Sequence, residues 1–243
     1  MMYLEDEFGQ SISFEIPLEC KRILFNLSGG ADSALVFYLL IKYLTENNRH
    51  DTTIGCLTLA FDKRYRWQAR RSANIIEYMI SKFDYHNILS HHTVYGDDYN
   101  DSHLHKYQKE VFGRGEYDML IGGNTANPRF DVDIELKDGT HINLWKECDP
   151  MIGIRNENDI PITIDRFGYP YYSPFANVDK RFVASIYKRF DLFDLLQETR
   201  SCCSNIPDTE KPCGVCWSCG ERKLIWGDWD YGFIPSRKIG NQS

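Results

Sequence analysis

The chain has 243 residues, 42% of them hydrophobic and 26% charged, with a net charge of -7. These values fit one large globular domain, or one domain with an appendage. They exclude a transmembrane helix, because no apolar run reaches about 18 residues, and they argue against a duplex nucleic-acid binder, whose footprint is basic. The N-terminus, Met1-Met2-Tyr3-Leu4-Glu5-Asp6-Glu7, lacks the basic start of a signal peptide, so a cytoplasmic location is expected. One basic patch stands out, Lys63-Arg64-Tyr65-Arg66 with Arg70-Arg71, and a solvated helix face explains it equally well.

Taken in order, residues 11–17 alternate polar and apolar and end at Pro17, which predicts a half-exposed strand at a sheet edge. Residues 22–27 predict a short buried strand, and residues 34–44 a mostly apolar helix. Between them lies Ser28-Gly29-Gly30-Ala31-Asp32-Ser33. A glycine-rich turn between a strand and a helix offers backbone N–H groups and the positive end of the helix to a phosphate. Ser28 and Ser33 add hydroxyl donors, and Asp32 can tether the loop or a metal. No Gly-Lys-Ser/Thr follows, so this is not a Walker A loop, and it is not G-x-G-x-x-G either.

Further strands are predicted at 52–61, 87–90 and 117–122, and helices at 67–83, 102–113 and 179–197. This alternation predicts βαβ units and a parallel sheet, with ligands beyond the carboxyl ends of the strands. Residues 28–33, 61–64 and 122–124 are therefore expected to line the site. Residues 130–146 alternate on both sides of Asp138-Gly139 and predict an inserted β-hairpin. Residues 151–174, with Pro161, Pro170 and Pro174, are expected to be irregular.

Five of the eight cysteines fall between 202 and 219. Cys213, Cys216 and Cys219 have C-x-x-C-x-x-C spacing, and Cys202 or Cys203 supplies a fourth thiol. In a reducing compartment such a cluster points to a closed structural zinc site. Iron–sulfur and redox alternatives fit the spacing less well. His91-His92 and His103-x-His105 match no metal motif and are expected at the surface or in turns, Cys56 in the core, and Trp226 and Trp229 packed against the body.

The loop S-G-G-x-D-S resembles the pyrophosphate loop of the ATP pyrophosphatase (PP-loop) superfamily. Together with Thr199-Arg200-Ser201-Cys202 and Cys213-Gly214-Val215-Cys216-Trp217-Ser218-Cys219, it resembles the 7-cyano-7-deazaguanine synthase family. Ser173-Pro174-Phe175 followed by Asp179-Lys180, the run Phe61-Asp62-Lys63-Arg64-Tyr65, and Gly123-Asn124 also fall where that family has motif elements. After Asn124 the sequence departs: Thr125-Ala126-Asn127-Pro128-Arg129 leads into the hairpin where the family has a Y-P-D-C-R-like segment.

The resemblance implies an α/β fold with a Rossmann-like parallel sheet over residues 1–200, the hairpin inserted, and a zinc-binding segment over 201–243. It implies ATP, magnesium and zinc as cofactors. ATP would bind Ser28, Gly29, Gly30, Ala31, Asp32, Ser33, Phe61 and Arg64. Asp32, Ser33 and Lys180 would be catalytic, with Lys180 neutralising the departing pyrophosphate and Arg64 assisting. Gly123 and Asn124 would contact the substrate, and Cys202, Cys213, Cys216 and Cys219 would hold zinc. The activity implied is an AMP-forming carbon–nitrogen ligase acting on a 7-deazaguanine carboxylate. The amine is ammonia in the family, giving an amide or nitrile, and an amine on a protein is the variant that the altered middle motivates. Other PP-loop chemistry such as tRNA thiolation, and a nucleotide-binding subunit without turnover, are the alternatives. The oligomeric state, a homodimer included, stays open.

Overall fold

The structure is a computed structural model that describes residues 1–61, 65, 67–96, 102–126, 132–144, 162–164, 168–204 and 211–228. Strands β1 (Met2–Glu5) and β2 (Ser11–Phe14) pair antiparallel in a sheet of their own. The expected strand at 11–17 is thus present, but it is not an edge of the main sheet. Its alternation buries Ile12 and Phe14, and Phe14 meets the ring of Tyr172 edge-on at 5.4 Å.

The βαβ units then follow: β3 (Arg22–Asn26), α1 (Ala31–Glu46), β4 (Thr53–Phe61), α2 (Gln68–Phe83), β5 (Ile88–Gly96), α3 (Ser102–Gly113) and β6 (Met119–Ile121). Next come β7 (Asp133–Glu135), β8 (His141–Asn143), β9 (Ile162–Ile164), β10 (Pro170–Tyr172), α4 (Lys180–Arg189), α5 (Phe193–Gln197) and α6 (Trp217–Trp226). The main sheet runs β5-β4-β3-β6-β10-β9, parallel throughout except for β9, which is antiparallel to β10. The α/β parallel-sheet fold expected from the sequence is the one observed.

Its central strands are apolar on both faces, as a doubly covered parallel sheet requires. Alternate residues divide between two cores. Ile23, Phe25, Ile54, Cys56, Met119 and Ile121 pack with α1, α2, α4 and α5. Leu24, Leu57 and Leu120 pack on the opposite face with Val111 of α3 and Tyr169. Helix α1 is buried along nearly its whole length, which explains why it is apolar all round. Among the described residues no helix is long and apolar enough to cross a membrane.

Three expectations are corrected. The strand predicted at 87–90 runs on to Gly96, because a half-exposed edge strand tolerates the polar His91-His92-Thr93. The single helix predicted over 179–197 is two, α4 and α5, broken where Asp191 turns to φ +50°. The segment 151–174, expected to be irregular, contains β9 and β10, and Pro170 stands at the first position of its strand, where a missing N–H is tolerated. The hairpin is present as β7 and β8 in antiparallel register, closed by Asp138, whose Oδ1 accepts the Thr140 N–H at 3.1 Å, and by Gly139 at φ +82°.

From β3 the chain winds outward to β4 and β5, and then returns to place β6 and β10 on the other side of β3. The strand order therefore reverses between β3 and β6. Such a reversal opens a crevice beyond the carboxyl ends of the two strands.

Candidate functional site

The loop Ser28–Ser33 leaves β3 at this crevice. Ser33 is buried, and its Oγ accepts the Ser28 N–H at 3.2 Å, lies 2.9 Å from Ser28 Oγ and donates to the Gly30 carbonyl at 3.2 Å. The two hydroxyls thus brace the turn from within. Gly29 sits at φ +74°, and a Cβ there would come within 2.9 Å of Arg71 Cβ, so both the conformation and the packing demand glycine. The Gly29 carbonyl accepts the Arg200 N–H at 3.0 Å, tying the loop to the C-terminal part of the chain. Gly30 caps α1 with no side-chain hydrogen bond, so the first N–H groups of α1 face the crevice. A Cβ on Gly123 would lie 2.6 Å from Ser33 Cα, so the end of β6 is pressed directly against the loop.

Lys180, the first residue of α4, reaches this loop. Its Nζ donates to Asp32 Oδ2 and lies 3.9 Å from Glu221 Oε2 of α6. The Lys180 and Asp32 side chains are only 20% and 17% exposed. Burial alone would lower the Lys180 pKa, but Asp32 and Glu221 outweigh it and hold the ammonium above its ordinary value. Burial pushes the Glu221 carboxyl up to about 8, the dominant effect over its attraction to Lys180. Thr125 Oγ1 also reaches Asp32 Oδ2, at 3.4 Å, while Asp32 Oδ1 is buried with no hydrogen-bond partner among the described residues. That orphan oxygen is of the donor type that a magnesium ion takes. The carbonyl of Ala31 is taken by the buried Tyr187 hydroxyl of α4 at 2.9 Å.

Asp179 sets the start of α4 and hence the position of Lys180. Its carboxylate caps the helix by accepting the Arg181 N–H at 2.9 Å, and it also pairs with the Arg181 guanidinium and with Gln10. Burial would raise this carboxyl, but Arg181 and the N–H donors together hold it below its ordinary value. Asp179→Ala is expected to lower unfolding stability by about 2 kcal/mol, the scale of a lost helix cap with one charged hydrogen bond. The contribution is complete above the unfolded-state value of about 4 and is lost as the pH falls through the lower folded-state value. Urea unfolding of both proteins at neutral and acid pH checks this: the gap between them should be full at neutral pH and shrink in acid.

Above the loop lies a cavity of about 630 Å³. Ser28, Gly30, Ala31, Asp32, Ser33, Gly123, Asn124 and Lys180 all line it, so the structure brings two of the three expected segments together with the lysine. Gly29 lies beneath, against Arg71 and Trp67. Phe61 is buried at the end of β4 with its ring 6.0 Å from that of Tyr65, which does line the cavity. Arg64 falls outside the described residues, as do Trp229 and the segment 127–131.

Other lining residues were not anticipated. Gln108 on α3 donates to Asn26 Oδ1 at 3.0 Å and accepts from the Tyr169 hydroxyl at 3.3 Å. His105, expected at the surface, lines the cavity, as do Tyr171, Gln68, Ser218 and Glu221. Only the fold shows these positions to be close. His91, by contrast, is part-buried on β5 and lies 2.8 Å from Thr58 Oγ1. Cys56 is fully buried in the core, and burial raises its thiol pKa strongly.

The cysteine segment closes over the same end of the sheet. Sulfurs of Cys202, Cys213, Cys216 and Cys219 all lie within 4.8 Å of one another, and Cys203 is not one of the four. The Cys202–Cys213 and Cys213–Cys219 separations are 3.6 and 4.0 Å. They bracket the ~3.8 Å edge of a tetrahedron built on ~2.3 Å zinc–sulfur bonds. The Cys213 N–H points to Cys202 Sγ and the Val215 N–H to Cys213 Sγ, each at 3.4 Å, and Gly214 makes the turn at φ +77°. Donor type, size and surrounding N–H groups all fit a zinc ion.

The inserted hairpin buttresses this tetrad. The Lys137 N–H donates to the Gly214 carbonyl at 3.0 Å, and Lys223 Nζ to the Glu135 carbonyl at 2.7 Å. A Cβ on Gly220 would meet Ile142 Cδ1 at 2.5 Å. On the loop side, the Cys202 carbonyl accepts from Trp67 Nε1 at 3.1 Å. Trp226 packs edge-on against Tyr187 at 6.1 Å, joining the tail to the body as expected.

No protein-family model and no curated protein matches the sequence. Among solved structures, the chain is similar to an NMN synthetase from Francisella tularensis, at 17% identity and a TM-score of 0.41, covering 75% of this chain and 67% of that one. It is also similar to the Candida glabrata FMN adenylyltransferase in complex with FMN and an ATP analogue, at 15% identity and a TM-score of 0.44. That match covers 81% of this chain and 58% of the other, so the chain spans less than two thirds of that protein's length. At these scores the likeness adds nothing to what the strand order already shows: an α/β sheet whose crevice holds the loop, the lysine and the cysteine-anchored helix.

Proposed function

We propose that the chain activates a carboxylate with ATP, releasing pyrophosphate, and transfers the acyl group to an amine. The observation that carries this reading is the convergence at the strand-order reversal of the open N-terminus of α1, the Ser28 and Ser33 hydroxyls and the Lys180 ammonium. All three are donors to phosphate oxygens. In the reaction, a carboxylate oxygen attacks the α-phosphorus and the bond from that phosphorus to the β-phosphate bridging oxygen breaks. The amine lone pair then adds to the acyl carbon, AMP departs with the oxygen it received, and the amine loses a proton to solvent. Lys180 and the loop N–H groups take up the charge that grows on the departing pyrophosphate. Magnesium would neutralise phosphate charge from the side of Asp32, whose buried Oδ1 is the chain's own candidate ligand.

For the acid, the resemblance carried by the loop together with Cys202, Cys213, Cys216 and Cys219 favours a 7-carboxy-7-deazaguanine-like molecule with ammonia as the acceptor. The test is product analysis of ATP incubated with 7-carboxy-7-deazaguanine, with and without ammonium. AMP and pyrophosphate in equal amounts, dependent on the acid, support the reading. ADP and phosphate, or no turnover with this acid or with other carboxylates, contradict it.

A further inference from the structure

Strand β3 is apolar from Ile23 to Phe25, as burial on both faces demands, but it ends on Asn26. An amide is a poor strand former and costs free energy when it leaves water without partners. Asn26 is half-buried and lines the cavity two residues before Ser28. It follows Leu24 in the alternation of the strand and so faces α3, across the sheet from α1. There Gln108, only 2% exposed, donates from Nε2 to Asn26 Oδ1 at 3.0 Å. Gln108 Oε1 in turn accepts from the Tyr169 hydroxyl at 3.3 Å. The Tyr169 ring stacks on Phe112, one turn after Gln108, with centroids 4.1 Å apart.

These bonds have a direction. Tyr169 donates to Gln108, Gln108 donates to Asn26 Oδ1, and the Asn26 amide is left with its Nδ2 open to the cavity, meeting no acceptor among the described residues. A buried relay of this kind fixes which end of the amide a ligand meets. We propose that Asn26 Nδ2 binds the carboxylate of the acid to be activated, and that Gln108 is the positioning residue that holds this donor outward. The proposal rests on the reading of the site as an acid-activating ligase.

Position and charge favour the acid over the nucleotide. Phosphates drawn to the first N–H groups of α1 occupy the α1 side of the crevice and leave the α3 side to the second reactant. Along an extended strand Asn26 lies about 7 Å from Ser28, so a carboxylate on Nδ2 stands beside phosphates on the loop. The donor is also neutral. A lysine or arginine in its place would bind the acid more strongly, but it would draw negative charge off the attacking oxygen. Asn26 holds the other oxygen, and that oxygen gains charge again when the amine adds to the acyl carbon.

The experiment measures steady-state AMP formation by the full chain from ATP, 7-carboxy-7-deazaguanine and ammonium, varying the acid and ATP separately. Asn26→Asp keeps the oxygen that accepts from Gln108 and replaces the donor by an acceptor, so the tie to α3 survives. Its kcat/KM for the acid should fall about 10- to 100-fold, the scale of a lost hydrogen bond to a charged group. Its KM for ATP should stay at the wild-type value. Asn26→Leu, which continues the apolar run of β3, should show the same selective loss, and it decides the matter if the aspartate variant does not fold. Gln108→Met should lose less than either, again for the acid alone. An unchanged kcat/KM for the acid in both Asn26 variants overturns the proposal, as does a KM for ATP that rises as much as the acid's. Equal losses for acid and ATP in Gln108→Met mark a merely structural amide and overturn its positioning role. Failure of the ligase reading looks different: the wild type itself forms no AMP with this acid.

Discussion

Replacing Lys180 by Met should, on the proposed function, lower the rate of AMP formation about 10²- to 10³-fold, the usual consequence of removing one preorganised donor from a transition state. In the proposed reaction, the step that would depend on it is the separation of pyrophosphate from the α-phosphorus, during which negative charge grows on the leaving group. The methionine keeps most of the apolar stem of Lys180 and removes the ammonium. Asp32, left with the weaker Thr125 hydroxyl contact, becomes a poorly compensated carboxylate, so the variant should be less stable by about 3 kcal/mol or less. Partial access of water to the pair keeps that loss moderate, with both side chains about a fifth exposed. Asp32→Ala should abolish turnover as well, and by a different route: Lys180 then has Glu221 alone, 3.9 Å away, and the loop loses its carboxylate. Steady-state kinetics separate the effects. Loss confined to kcat marks transition-state stabilisation, and a raised KM marks lost ground-state binding. Unchanged kcat and KM in Lys180→Met would remove the lysine from the mechanism.

The second large effect is on the metal. Cys216→Ser should lose zinc and loosen the segment from Cys202 to Trp226, because three thiols no longer close a tetrahedron. In small zinc domains the ion supplies about 10–16 kcal/mol of folding free energy. Here the loss should be local, since among the described residues the two cores take from the cysteine segment only Trp226, packed against one of them. Zinc content after gel filtration and limited proteolysis check this. Cleavage should appear in the C-terminal segment while the β3–α1–β4 core stays intact. Cys203→Ser should retain zinc, since its sulfur is not one of the four. Stoichiometric zinc in Cys216→Ser would contradict the ligand assignment.

How much could be read from residues alone follows from the range of the forces involved. Loop Ser28–Ser33 was legible because its chemistry is local: two glycines, two hydroxyls and a strand–helix junction lie within a few residues. Strands β3 and β4 were legible because burial on both faces demands unbroken apolar runs. The cysteine tetrad was legible because two-residue spacings already impose the geometry. By contrast, β10 was hidden, since Pro170-Tyr171-Tyr172 has too few residues to show a period and begins with a strand breaker. The break between α4 and α5 was hidden because apolar spacing continues through Phe190 and Leu192 while the backbone turns at Asp191. Glu221 and His105 were the most obscure. Each is an unremarkable polar residue on a helix, and only the packing of α6 and α3 at the crevice gives it a neighbour with chemistry.

The central claim, that the Ser28–Ser33 crevice drives attack of a carboxylate on the α-phosphorus of ATP, is tested most directly by isotope transfer. The acid is supplied with ¹⁸O in its carboxylate, and the AMP formed in the presence of ammonium is examined by mass spectrometry. The expected result is AMP carrying one ¹⁸O per activation, with unlabelled pyrophosphate. Label absent from AMP, or found in pyrophosphate or phosphate, would contradict it.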